Sequence, residues 1–504
     1  MKTGFISLLC LILMGACATN TAQPAASRSG QDQADIRALE AFVRRAFEVG
    51  ATPGLGVAIV SHGEIIYTAS LGFADVGAGI PASDSTFWYV ASTSKSFTGF
   101  GIALLEAEGA LNVNAPITEL LPRAKWHPAV RPAELTLASF LTHTHGITDE
   151  PLVTSAAVTG AIPEASWGDL LRLHAPLPTR QLAYSNFGYN VAGMVIDALR
   201  PEGWKAFLDR RVFKPAGLDI RSTMSDAPPA RIAKSHRLQA DGRFISQPFA
   251  KRDVTMNAAG GHLGTIKGLA CWVIAHLEDG RLEGKQVYPA AAVRRSHEIL
   301  ARQPPNTRFG FFDRDGWGMG WDVGRYDGEQ MVSRFGGYTG FRSHLSMLPA
   351  RGVGVVAVVN SGSGSGITDV IAAYSYDRLL GKPDAETRGA ARLDSLATRL
   401  QTLKRRAGEA DSARAARQRP LPRPVADYTG RFEDPGFGRV VISQTDGKLM
   451  IRWGVLESAL APYDIAKDRF SADLGGENIV EFRFGPVGPA QDVTIGNASF
   501  ARIR

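Results

Sequence analysis

Cysteine is scarce in this chain, with three in 504 residues. That is too few for a disulfide-braced scaffold, and they lack the paired spacing of a thiolate metal site. Cys10 lies in an apolar leader and Cys17 follows it directly. Cys271 sits in Leu269-Ala270-Cys271-Trp272-Val273-Ile274, where it reads as a small buried hydrophobe. Long apolar runs are missing as well: the run from Phe5 to Met14 is too short to span a bilayer. A histidine-based metal signature is also absent. His143 and His145 stand two apart, but no Cys, Asp or Glu completes a ligand set with them. His143 is expected to bond to backbone in a turn; His262, His297 and His344 are isolated and read as structural or exposed. No metal and no cofactor is expected. The net charge of +7 does not mark a nucleic-acid binder, because the segment from Arg388 to Pro424, with ten Arg or Lys against three Asp or Glu, already supplies +7.

The first residues address the chain. Lys2, the apolar run and Gly15-Ala16-Cys17 read as a secretory signal ending in a lipobox, so that Cys17 would become the lipidated first residue of the mature protein. Residues 18–33, rich in Ala, Thr, Ser and Gln, read as a flexible tether. The expected location is the periplasm, as a lipoprotein anchored by Cys17 to the outer membrane, since Ala18 and Thr19 carry no inner-membrane retention acid.

Three segments carry chemistry. In Trp88-Tyr89-Val90-Ala91-Ser92-Thr93-Ser94-Lys95, a Ser stands three residues before a Lys where an apolar segment passes into a helix. Positions i and i+3 share a helix face, so the Lys95 amine can lie beside the Ser92 hydroxyl. A serine needs such a base to become a nucleophile, and a lysine serves once desolvation lowers its pKa. Tyr184-Ser185-Asn186 precedes the apolar helix Val191 to Leu199 and offers a phenol and an amide two residues apart. Arg334-Phe335-Gly336-Gly337-Tyr338-Thr339-Gly340-Phe341 leads into an apolar strand, and its glycines would let a substrate backbone come close.

In order and context these motifs resemble the SxxK, YxN and (K/H)xG motifs of the serine hydrolases related to class C β-lactamases, DD-peptidases, D-aminopeptidases and some esterases. Phe140-Leu141-Thr142-His143-Thr144-His145-Gly146, Asn257-Ala258-Ala259-Gly260-Gly261 and Gly316-Trp317-Gly318-Met319-Gly320-Trp321 are similar to further segments of that family, and the resemblance runs from about Ile36 to Leu380. It implies that Ser92 is the acylated nucleophile, Lys95 its proton acceptor and Tyr184 the proton shuttle. Asn186 would hold the substrate amide, and the backbone N–H groups of Ser92 and Gly337 would form the oxyanion hole. Gly336 and Arg334 would complete the substrate site. Arg334 departs from the family's Lys or His; its planar fork suits a carboxylate and cannot serve as an acid or base. The resemblance implies an exported serine hydrolase cleaving an amide bond of a peptide-like substrate. The alternatives are an esterase or β-lactamase on the same site, or a penicillin-binding sensor with slow turnover. The partners expected are a small substrate and, through Cys17, a membrane, with no nucleic acid.

The fold expected is α/β: an antiparallel sheet flanked by helices with a helical subdomain, plus a small C-terminal β-barrel. Strands are predicted at Gly56–Val60, Glu64–Ala69, Met319–Val323 and Val353–Val359, and helices at Ile36–Val49, Lys95–Glu108 and Leu263–Glu278. Residues 34–385 form the hydrolase domain. Residues 386–424, with Leu393, Leu396, Leu400 and Leu403 at heptad-like spacing before Pro420-Leu421-Pro422-Arg423-Pro424, read as a solvated basic helix and stiff linker. Residues 425–504 carry short β-like runs with an Asp446-Gly447 hairpin turn and resemble the lipocalin-like barrel appended to many relatives.

Overall fold

The structure, a computed structural model, describes residues 30–248, 250–304, 311–417 and 420–503. The expected signal, the Cys17 expected to be lipidated and most of the expected tether lie outside the described residues. Gly30–Gln33, the end of that tether, already belong to helix α1 (Gly30–Glu48).

The first domain is built on an antiparallel sheet of nine strands. These are β1 (Gly54–Ser61), β2 (Glu64–Asp75), β3 (Ile80–Pro81), β4 (Ala301–Arg302), β5 (Asp313–Trp317), β6 (Asp322–Tyr326), β7 (Glu329–Tyr338), β8 (Phe341–Leu348) and β9 (Val353–Val359), in the order β4-β5-β6-β7-β8-β9-β1-β2-β3. The neighbours β9 and β1 are almost wholly buried, which explains why Val353–Val359 is uniformly apolar and does not alternate. Such a strand has helices on both faces. Helix α4 (Ile266–Leu277) covers one face, and α1 with α5 (Ser365–Leu379) covers the other. Helices α2 (Ser94–Ala107) and α3 (Phe187–Leu199) pack together on the α4 side and belong to the largest apolar cluster. The predicted elements exist with small shifts: Leu263–Gly264 forms a short strand before α4, and β6 begins at Asp322 because Gly318–Gly320 makes a close turn against α2.

Helix α6 (Ala385–Ala415) overturns the expected solvated linker. Its helical character was legible from the leucine spacing, but its surroundings were not. Leu393, Leu396 and Leu400 are buried in one apolar cluster with α1, α5 and β1, and Leu403 packs against it. The 3-4-3 spacing makes a single stripe, and α5 supplies the surface that buries it. The first domain therefore continues through Ala415, beyond the expected end at 385.

The last domain is a nearly closed barrel of nine antiparallel strands, from Gly430–Asp434 to Ala498–Ile503, around its own core of Phe432, Val440, Ile451, Phe470, Val493 and Phe500. Asp446 and Gly447 have φ of +50° and +74°, as a tight two-residue hairpin turn requires. The barrel docks on the first domain. The Val455 N–H donates to the Thr159 carbonyl and the Thr339 hydroxyl to the Gly475 carbonyl, both at 2.8 Å. Val158 and Ala161 pack into the barrel's apolar cluster.

Candidate active site

Ser92 lies in a single 3-10 turn, Ala91–Thr93, that leads straight into α2. Ala91 holds φ +48°, which an alanine adopts only when its surroundings impose it. Those surroundings are visible. The Ser343 hydroxyl donates to the Val90 carbonyl at 2.7 Å and shares a 2.8 Å hydrogen bond with Thr93, while the Val90 N–H donates to the His262 carbonyl. Strand β7 presses on the same turn: a Cβ on Gly336 would fall 2.0 Å from the Val90 carbonyl oxygen. Gly336 was expected to admit substrate backbone. Its glycine is instead required by the close approach of the protein's own Ser92 turn.

One helical turn on, Lys95 is 0% exposed. Its Nζ donates to Ser92 Oγ at 3.1 Å, Asn186 Oδ1 at 2.6 Å and the Ala259 carbonyl at 2.7 Å. No carboxylate is among these partners. Burial lowers the ammonium's pKa to about 8; Arg334 adds to the fall, while Tyr184 and Asp322 oppose it. The Tyr184 ring is 47% exposed, yet its hydroxyl donates inward to Ser92 Oγ at 2.7 Å. Burial alone would raise the phenol, but the Lys95 and Arg334 cations and the hydrogen bonds outweigh it and bring it to about 8. Asn186 opens α3 without a side-chain cap, because its amide oxygen is held by Lys95.

Arg334 is placed differently from expectation. It is 2% exposed and its fork turns inward: Nη1 pairs with Asp322 at 3.2 Å, Nε donates to the Ser92 carbonyl at 2.9 Å and Nη2 to the Tyr184 hydroxyl at 3.1 Å. A guanidinium so committed holds Ser92 and Tyr184 in place and is not a free clamp for a substrate carboxylate. Gly337 is paired across the hairpin with Arg342, whose guanidinium lies against its Cα; a Cβ there would meet Nη1 at 1.6 Å.

Sequence reasoning missed Asp322, the Ala259 carbonyl and Trp317 as site members. Trp317 packs against Tyr184 and lies under the Arg334 guanidinium at 5.0 Å. Ala259 and Trp317 fall in segments noticed for their family resemblance and Asp322 directly follows one, but nothing in the sequence says which atoms face Lys95 or Arg334. His143 stacks on Tyr184 and accepts a hydrogen bond from the Ser185 N–H at Nδ1, a backbone-bonded turn histidine; burial holds it neutral. His145 accepts likewise from Ile147. Cys271 is half-buried against the main core, and burial raises its thiol.

A second constellation imitates a catalytic triad. Asp369 pairs with His344 at 2.8 Å, and His344 with the Ser346 hydroxyl at 2.6 Å, which in turn meets the Tyr376 hydroxyl. Ser346 and His344 are 0% exposed, so no substrate reaches that oxygen. It is a polar network between β8 and α5.

Ser92, Tyr184 and Gly337 open onto a cleft of about 800 Å³ that extends to α5 and α6. This fold and a serine hydrogen-bonded to both a buried lysine and a tyrosine define a class of hydrolase-like sites. The beta-lactamase family model matches residues 39–377, and the chain belongs to that family. It is 24% identical over 331 residues to protein flp of Staphylococcus aureus (strain NCTC 8325 / PS 47), a match covering 64% of this chain and 63% of that one. The chain thus spans less than two thirds of that relative. It is 25% identical over 509 residues to the unguisins hydrolase ungD of Aspergillus violaceofuscus (strain CBS 115571), covering 91% and 87%. Among solved structures, the D-amino acid amidase from Ochrobactrum anthropi SV3 complexed with L-phenylalanine superposes with a TM-score of 0.56 at 20% identity, over 70% of this chain and 99% of that one.

Proposed function

We propose that the protein is an exported serine hydrolase that cleaves an amide bond of a peptide-like substrate through an acyl-enzyme at Ser92. The observation that carries this reading is the convergence of Lys95 Nζ at 3.1 Å and the Tyr184 hydroxyl at 2.7 Å on one serine oxygen. A hydrolase and an amidase among the similar proteins support it.

Lys95 is set up to act as a base. As a neutral amine it keeps two N–H bonds, which the Asn186 and Ala259 oxygens can hold, so its lone pair faces Ser92 Oγ. The Ser92 proton passes to Lys95 as Oγ attacks the substrate carbonyl carbon. The oxyanion forms against the backbone N–H groups of Ser92 and Gly337. Tyr184, restored by Lys95, gives a proton to the leaving amine, the C–N bond breaks, and the acyl group remains on Oγ. Water then gives a proton to the Lys95–Tyr184 pair and adds to the acyl carbon, and the pair returns a proton to Ser92 Oγ as the acyl C–O bond breaks. Arg334 stabilises negative charge on the Tyr184 oxygen and keeps it aimed at Ser92, and Asn186 positions Lys95 beside any contact its amide nitrogen makes with substrate.

Labelling of the full chain with a fluorophosphonate tests the reading. Peptide mapping should place the adduct on Ser92, and Ser92→Ala should abolish it; an adduct on Ser94, Ser96 or Ser346 would overturn it. A panel of amino-acid anilides, p-nitrophenyl esters and a chromogenic β-lactam should show the anilides turning over, and β-lactam or ester turnover alone would reassign the reaction. Export rests on the leader and Cys17, and fatty-acid labelling of wild type but not Cys17→Ser should accompany membrane association.

A further inference from the structure

Lys95 and Lys251 are the buried lysines among the described residues, and the reaction proposed at Ser92 uses only the first. Lys251 is 7% exposed and lies in the irregular segment between Ser246 and Asp253. Its Nζ donates to the Ala157 carbonyl, with the Thr255 carbonyl at 3.5 Å. The same nitrogen stands 3.9 Å from the centre of the Tyr338 ring and 5.4 Å from that of Tyr89. Among the described residues no carboxylate pairs with it; Asp253, two residues on, accepts from the Met224 and Ser225 N–H groups. Burial keeps both phenols neutral, and burial alone brings the Lys251 ammonium down to about 7. A buried charge without a counter-ion costs stability, and a methionine would fill the same space without that cost.

The lysine's neighbours lead to the site from two sides. Tyr338 directly follows Gly337, one of the proposed oxyanion donors, and its hydroxyl donates to the same Ala157 carbonyl at 2.8 Å. The Tyr89 hydroxyl donates to the carbonyl of Gly260, and Gly260 follows Ala259, whose own carbonyl holds Lys95 at 2.7 Å. Ala157 belongs to the single π-helical turn Ser155–Thr159, which takes the barrel's Val455 N–H at its Thr159 carbonyl. We infer that Lys251 is a positioning residue for the reaction at Ser92: by engaging the Tyr338 and Tyr89 rings and the Ala157 carbonyl together, it fixes Gly337 and the Ala259 carbonyl relative to each other. This rests on the acyl-enzyme reading above. Lys251 is not among the residues that line the cleft, so its effect is on geometry and not on substrate contact. Oxyanion donor and base must stay in register to well under an ångström, and that requirement accounts for a costly group so close to both.

The test is Lys251→Met in the full chain, read by the rate of Ser92 labelling with a fluorophosphonate, by anilide turnover and by thermal unfolding. Labelling and kcat should fall about 10- to 100-fold with KM within about threefold, the scale of a displacement of up to about 1 Å. Tm should hold or rise, because a buried charge is removed while Ala157 keeps its bond from Tyr338. A residue that merely packs would lower Tm and leave the labelling rate alone. The Tm gain should be largest at and below about pH 7 and shrink towards about pH 10. In that window unfolding of the wild type takes up a proton at Lys251, so the wild type gains stability as pH rises and the Met chain does not. Lys251→Gln keeps an N–H donor for Ala157 and should retain more activity than Lys251→Met. Labelling of the Met chain within about threefold of wild type, a Tm that drops with activity, a Met chain that does not fold, a gap flat in pH, or equal losses in Met and Gln each overturn the role. A wild-type chain that takes no label at Ser92 sinks the acyl-enzyme reading and this role with it, whereas wild-type labelling matched by the Met chain sinks the role alone.

Discussion

The two ends of the cleft answer charge in opposite ways. Around Ser92, charged groups meet protein partners: Lys95 has three oxygens, Arg334 has Asp322, the Ser92 carbonyl and Tyr184, and both cations are buried. Towards α5, Arg399 faces solvent on α6 and donates to the Ser365 hydroxyl. The first end has the closed, preorganised form that the proposed proton transfers at Ser92 require. The second has the open form of a surface that selects among substrates. Reaction and selectivity should therefore fail separately, and mutations can show whether they do.

The largest effect is expected at the closed end. Ser92→Ala and Lys95→Ala should each lower kcat by at least about 10⁴-fold, and the double variant little further, because nucleophile and base act as one unit. Single-turnover acylation measures this; a Lys95 variant within about tenfold of wild type would place the base elsewhere. Arg334→Gln comes next. It leaves the buried Asp322 with Arg314 at 3.5 Å as its remaining ion pair and should cost about 1–3 kcal/mol in denaturant unfolding. It should also move the pH profile. Activity needs the deprotonated form of the Lys95–Tyr184 pair, so kcat/KM should rise with pH through about 8. Arg334 lowers both groups, so its removal should shift that rising limb to higher pH; a limb that stays put would show that the pair does not feel Arg334. Gly336→Ala should drive β7 off the Ser92 turn and lower kcat by roughly 10²-fold with KM less affected, as a displacement of about 1 Å does. The smallest effect on chemistry is expected at the open end. Leu396→Ala should cost about 2–3 kcal/mol by opening a cavity under α6, while Ser92 still labels. A drop in labelling as large as that of Gly336→Ala would show that the two ends are one unit.

The closed end was the more legible of the two in the sequence. Ser92 and Lys95 are three residues apart, so helix geometry alone places them together, and Tyr184 was found through an ordered motif. What sequence could not give was the direction of side chains brought together by the sheet. Arg334 was read as facing substrate because its residue type suits a carboxylate, and only the register of β7 against β6 sets it on Asp322. Gly336 was read as room for a ligand, although the Ser92 turn fills that room. The spacing of Leu393, Leu396 and Leu400 announced a helix but could not say what it packs on, since a single apolar stripe fits a linker, a coil or a docked helix equally. A chain ended near Leu380 would expose the apolar cluster that α6 covers. The barrel was recognised from four of its strands; the edge strands Leu456–Ala459 and Ala461–Asp464 are too short and too mixed to show a period.

The lateness of α6 in the chain has an evolutionary consequence. Ser92, Lys95 and Tyr184 are encoded before residue 190, while one wall of the cleft is encoded after residue 384. Recombination within the short stretch between α5 and α6 could graft a different wall, with its barrel, onto an untouched reaction centre. Lineages could acquire new diets by exchanging tails, with no mutation in the motifs by which such enzymes are recognised.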